Sequence, residues 1–263
     1  MRRVRLALSS LLLVALPLPA ATLDPAAYDQ GGEIAYRRVL QPAAAERRLN
    51  ADRAFTSRVR GIANRVVIAA PSMVPAADTL VWGVNVVTDP SADVIEYPGG
   101  RLLVHSGLAQ AGLADEEIAA VLAHVIAHGL LGYDRALVSS AVSEADAVAA
   151  DPNRRVVAIA EAAGRVLKQR KAPPAEVEAA DRMSVELMAR AAYDPRAAVR
   201  AWRRLGAAGG PLAERFPVTQ ARLAALEAAA AAMVPLFEDT RAKAAAQERA
   251  PPPVGGAGRS LIR

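Results

Sequence analysis

Residues 121–130 read VLAHVIAHGL: ten residues with no charge apart from two histidines, His124 and His128, four apart. Just upstream stand Asp115, Glu116 and Glu117. Acids ahead of an apolar run mark a helix N-terminus, where the helix dipole favours negative charge. The segment LADEEIAAVLAHVIAHGLL is therefore expected to be the central buried helix of the molecule. On such a helix residues i and i+4 share a face, so the two imidazoles stand one turn apart on the same side. A pair of this kind is either two neutral core histidines or half of a zinc site, and the spacing alone does not choose between them.

Working outward, the segment LVWGVNVVTDPSADVIEYPGGRLLVHSGL has a different period. Val84 and Val86 alternate with neighbours, DPSAD is a turn, and Pro98-Gly99-Gly100 separates VIEY from RLLVHS. Two or three short strands in hairpin arrangement are expected, with Gly99 and Gly100 placed where φ must be positive. From Glu33 to Val67 apolar residues recur at three and four, which predicts two amphipathic helices broken near Pro42. Downstream, helical segments are separated at Asp151-Pro152, at Pro173-Pro174 after the KQRK run, and at Tyr193-Asp194-Pro195. A last helical region follows Val218, and Trp82 and Trp202 are expected in the core.

The chain has 263 residues, 53% of them hydrophobic and only 4% aromatic, so it folds around a core built from Ala, Val and Leu. Its start, MRRVR followed by the uncharged LALSSLLLVALPL, has the pattern of a secretory signal peptide over residues 1–21, with small residues for cleavage near Ala20 or Ala21. That places the mature protein in the periplasm or outside the cell. The apolar run falls short of the roughly 20 residues a membrane span needs, and no other segment is read as a span. The net charge of +5 includes Arg2, Arg3 and Arg5, so removing those three leaves about +2. No basic block interleaved with aromatics appears, and a nucleic-acid partner is not expected. Without cysteine, any metal must be held by histidine and carboxylate. The boundaries read from the sequence are N-terminal helices at 22–67, a main domain at 68–247 and a disordered Pro/Gly-rich tail at 248–263.

Six pieces, WGVNVV, DVIEYPGG, RLLVHSGL, LADEEIAAVLAHVIAH, AADRMSVELMARAAYDP and RFPVTQARLAAL, occur in one order between about Glu33 and Ala242. In that order the chain resembles the HtpX, BepA and CAAX-prenyl-protease family of zinc metallopeptidases, particularly its soluble periplasmic members. The resemblance implies an α+β, mostly helical, zincin-like fold with a small β-hairpin sheet packed on the H-x-x-x-H helix. It implies zinc as the family's cofactor and metalloendopeptidase activity as its chemistry. Carried over residue by residue, His124 and His128 are the matching metal ligands, and Asp181 holds a ligand histidine from behind. The general base falls on Val125, the third ligand on Val177, and a later histidine on Phe216.

Those three departures are all toward hydrocarbon. General-base help is worth about 10²–10⁴ in rate, and catalytic zinc takes three protein ligands and a water. The sequence therefore favours an inactive pseudopeptidase with an incomplete site, which binds polypeptides or regulates an active relative in envelope quality control. The strand Arg101, Leu102, Leu103, Val104 and His105 is expected to be an exposed edge that pairs with an extended client, and His105 a strand residue able to approach the site. Two alternatives stand beside it: an active zinc endopeptidase whose missing carboxylate comes from Glu178, Asp134 or Glu144, and a purely structural helical domain.

Overall fold

The computed structural model describes residues 23–147, 149–249 and 261–262. The signal segment lies outside the described residues, as does most of the tail. The helices are α1 (Pro25–Ala45), α2 (Arg53–Ala69), α3 (Gly107–Gln110), α4 (Asp115–Leu130), α5 (Tyr133–Ala141), α6 (Glu144–Ala147), α7 (Pro152–Gln169), α8 (Pro174–Arg190), α9 (Ala197–Ala208), α10 (Pro211–Arg215) and α11 (Gln220–Arg249). The strands are β1 (Gly83–Val87), β2 (Val94–Tyr97) and β3 (Arg101–His105). The fold is α+β and mostly helical.

The helix starts follow from local chemistry. Asp24, Asp52 and Asp151 accept backbone N–H groups at the starts of α1, α2 and α7, as N-cap residues do. On α4 the Glu117 carboxylate reaches back to the Ala114 N–H at 2.9 Å, and Gly132, at φ +77°, stops the helix. Pro42 does not break α1, which runs on to Ala45. Proline gives up the N–H that would bond to the Arg38 carbonyl, and only three residues of helix follow it.

In the sheet, β3 lies in the middle, parallel to β1 and antiparallel to β2. VIEY and RLLVHS do form the expected hairpin, with Gly99 and Gly100 at φ +83° and +82° in its turn. β1, however, joins the far side of β3 in the parallel sense. The expected free edge at Arg101, Leu102, Leu103, Val104 and His105 is thus corrected: both sides of β3 are hydrogen-bonded within the sheet. Three central residues of this strand are fully buried, and burial on both faces suits a central strand.

The faces of the sheet feed two cores. Val84, Val86, Val94, Leu102 and Val104 join α2, α4, α8 and α9, whereas Val87, Ile95, Tyr97 and Leu103 join α1 and α7. α1 lies close on its neighbours because of Gly31 and Gly32: a Cβ at Gly31 would stand 2.5 Å from Ile159, and one at Gly32 2.5 Å from the Pro98 carbonyl oxygen. Trp82 and Trp202 are core residues, as expected.

Two further expectations change. Leu261 and Ile262, at the end of the expected disordered tail, pack against the core, and the Leu261 N–H donates to Asn64 Oδ1 at 2.8 Å. α11 between Gln220 and Gln247 also has the length and apolar composition of a membrane-crossing helix, because only Glu227 is charged between Arg222 and Glu238. Its first turns nevertheless pack on α8 and α9 with Arg222 and Leu226 buried, as a core helix does.

Candidate functional site: a histidine pair enclosed by rings

α4 is buried along its length, and α8 and α9 pack on the face that carries the histidines. His124 and His128 are 0% and 1% exposed, with ring centroids 4.9 Å apart. The Phe216 ring lies 4.8 Å from each imidazole, stacked on His128 at an interplanar angle of 26° and edge-on to His124. Trp202 of α9 closes the other side of His124 at 4.7 Å, and Tyr133 stands 5.7 Å from His128.

α8 supplies the polar anchor. Residues 177 and 181 share a helix face, being one turn apart, and Asp181 lies with one oxygen 2.9 Å from His124 Nδ1. The same carboxylate receives two hydrogen bonds from Arg222, at 2.8 and 2.9 Å. That guanidinium also donates to the Phe216 carbonyl at 2.8 Å and lies over the Trp202 ring at 4.1 Å. Burial alone would raise the Asp181 carboxyl, but Arg222 and His124 hold it down at about 2. Burial pushes the His124 imidazole down despite Asp181, and it pushes His128 down with His124 adding to the effect. Both rings are neutral near pH 7.

Hydrocarbon fills the remaining positions. Val125, Val177 and Phe216 are each 3% exposed and belong to one core. Val125 faces a cavity of only about 10 Å³ beside His128, which Phe216, Ile95 and Leu167 also line, room for one water at most. Of the carboxylates read as replacements, Glu178 sits on the outer side of α8 within 3.9 Å of Arg182, with half its side chain exposed. Asp134 reaches the cavity but is ion-paired to Arg170, which it shares with Glu176. The Glu144 side chain falls outside the described residues. Among the described residues no three His, Asp or Glu side chains are placed to hold a metal ion.

The edge strand next to α4 is β2 rather than β3. Its Val94 carbonyl accepts a hydrogen bond from Arg215 at 3.2 Å, and Arg215 is ion-paired to Asp93. The Arg215 carbonyl in turn accepts the Ala172 N–H at 2.9 Å. The polypeptide beside Phe216 thus occupies the side of β2 where an extended ligand would pair. His105 is not brought to the histidine pair. Its Nδ1 lies 2.8 Å from Ser91 Oγ and 3.5 Å from Asp89, tying β3 to the turn before β2.

The structure brings His124, His128 and Asp181 together, and sequence reasoning misses Arg170, Arg215 and Arg222, which look like surface charges in the sequence. It also misses Glu96, which is 8% exposed and whose Oε2 has no hydrogen-bond partner among the described residues. The available signal was an acid inside the apolar strand VIEY.

A central helix bearing H-x-x-x-H, a helix bringing an aspartate to the first histidine, and a small sheet alongside define a metallopeptidase-type frame. The sequence model of peptidase family M48 matches residues 56–230, well over half of the chain, and the chain belongs to that family. It is also similar to the mitochondrial metalloendopeptidase OMA1 of Schizosaccharomyces pombe (strain 972 / ATCC 24843), 29% identical over 140 residues that cover 51% of this chain and 40% of that protein. The chain therefore spans less than half the length of this relative. Members of the family are zinc-dependent metallopeptidases. The donor set here does not fit a catalytic zinc: the two imidazoles face a phenylalanine ring, and no third His, Asp or Glu side chain converges on them among the described residues.

Proposed function

We propose that this chain is a pseudopeptidase: a zincin-like member of its family in which hydrocarbon has replaced the hydrolytic centre. The observation that carries the reading is the Phe216 ring, packed against both imidazoles at 4.8 Å. On this reading Val125 stands at the general-base position and Val177 at the third-ligand position. The contact between Asp181 and His124 supports the register, since it puts Val177 one helical turn away on the face that α8 turns to α4. A pocket that holds no dication is more stable filled with carbon than with an unpaired buried carboxylate.

The role that follows is non-catalytic: binding polypeptide clients or modulating an active relative, in the periplasm or outside the cell as the N-terminal sequence suggests. Pairing along β3 is no longer part of that proposal. Zinc titration of the full chain tests the reading, with no tight stoichiometric binding expected. Val125→Glu combined with Val177→Glu is expected to gain zinc affinity. One zinc held tightly by the unaltered chain, together with cleavage of an unfolded polypeptide, would overturn it.

A further inference from the structure

Beyond the histidine pair, where β2 runs out and α4 ends, the surface opens into a cleft of about 280 Å³. Its walls come from the start of α1 (Tyr28, Asp29), the segment before β1 (Val74, Leu80), the glycine turn after β2, and the α4–α5 junction (Asp134, Arg135). Gly99, Gly100, Gly129 and Gly132 contribute no side chains to fill it.

Three carboxyl groups, Asp29, Glu96 and Asp134, line this cleft. Glu96 lines it, is more than nine-tenths buried, and leaves Oε2 without a hydrogen-bond partner among the described residues. Asp29, half-buried on the opposite wall, feels Arg135 and Arg101, and with Asp134 it adds to the burial that raises the Glu96 carboxyl. Asp134 is paired with Arg170, which also serves Glu176, and feels Arg215. Arg135 turns its guanidinium to the wall, donating to the Leu23 carbonyl at 2.6 Å and lying 5.5 Å from the centre of the Tyr28 ring. Buried polar groups are normally satisfied, and a buried carboxyl group beside two others, with one oxygen unpartnered, is a group that a bound cation would satisfy.

A metal ion does not meet the need, since no three ligating side chains converge among the described residues. The walls between the acids are apolar, from Val74, Leu80, Pro98 and Leu130. We infer that the cleft binds an alkylammonium group, its charge between Glu96 and Asp29 and its methylene chain against these apolar residues. The group belongs either to a lysine side chain of a polypeptide or to a free aliphatic amine. The size of the cleft, at the small end of ligand pockets, suits a chain of this kind. The inference does not depend on whether the histidine pair holds zinc.

The test is calorimetric titration of the full chain with n-pentylammonium, with 1-pentanol as the neutral isostere and with N-acetyl-lysine-N-methylamide as the peptide surrogate. The amine is expected to bind at least tenfold more tightly than the alcohol, and Glu96→Gln and Asp29→Asn are each expected to weaken it at least fivefold. Binding of the lysine surrogate with similar affinity assigns the cleft to polypeptides, and binding of the free amine alone assigns it to small molecules. Equal affinity for alcohol and amine, no binding of either amine, or unchanged affinity in Asp29→Asn would overturn the proposal. Asp29→Asn carries the comparison even if Glu96→Gln fails to fold.

Discussion

The two ends of β2 are built on opposite rules. Around Val94 the charged groups are matched: Arg215 pairs with Asp93 and takes the strand carbonyl, while Arg222 holds Asp181 against His124. At Glu96, two residues along, one carboxyl oxygen has no hydrogen-bond partner among the described residues and a cleft stays open. The matched end is the one where the family's chemistry belongs. What this teaches is that the histidine pair is closed in by rings and ion pairs, whereas the Glu96 carboxyl is left incompletely matched beside a surface that stays open.

That contrast can be broken by substitution. The largest effect is expected from Asp181→Ala or Arg215→Ala, each of which leaves a buried charge unpaired. Either should cost about 3–5 kcal/mol, read from urea unfolding. A loss below about 1 kcal/mol would mean the matched end is looser than it looks. Phe216→Ala should follow at about 3 kcal/mol, the usual cost of removing a buried phenyl ring. A near-neutral result there would show that Phe216 does not fill the space between the imidazoles.

Acid sharpens the comparison further. Burial keeps His124 and His128 neutral in the folded chain, whereas an unfolded histidine takes a proton near pH 6.5. Below that pH the unfolded state binds more protons, so the stability contribution is full above pH 6.5 and is lost as the pH falls. The slope is up to about 1.4 kcal/mol per pH unit for each imidazole. Glu96 works in the other direction: burial, with Asp134 and Asp29, holds its carboxyl well above the ordinary range. It therefore costs stability as pH rises above about 4.3, offsetting one imidazole. The urea midpoint should still drop between pH 7 and 5, and more shallowly in His128→Leu. An identical pH slope in that variant would show that His128 is not the titrating group. The smallest effect belongs to the open end: Asp29→Asn should change stability by no more than about 0.5 kcal/mol. A larger loss would mean that Asp29 is a structural partner after all.

Much of this architecture is legible in the chain. α4 announces itself by Asp115, Glu116 and Glu117 ahead of an unbroken apolar run, and the β2–β3 hairpin by Pro98-Gly99-Gly100. The place of β1 is not legible, because strand order depends on which helices cover the sheet, and alternation in GVNVV says only that a strand exists. The same limit hides the buried arginines: nothing local separates Arg222, which grips Asp181 from 41 residues away, from exposed Arg37. His124, His128 and Asp181 are readable through spacing and resemblance. Glu96 needed the third dimension, since one acid in a short strand is equally compatible with a solvated face.

Gly31 and Gly32 carry a consequence for how the open cleft is held. They lie outside the region 56–230 matched to the family, yet by letting α1 rest on Pro98 and Ile159 they set where Tyr28 and Asp29 stand. A single methyl group at position 32 would meet the Pro98 backbone and lever the helix outward. Two residues with no side chains thus act as the hinge pin of the wall that α1 gives this cleft.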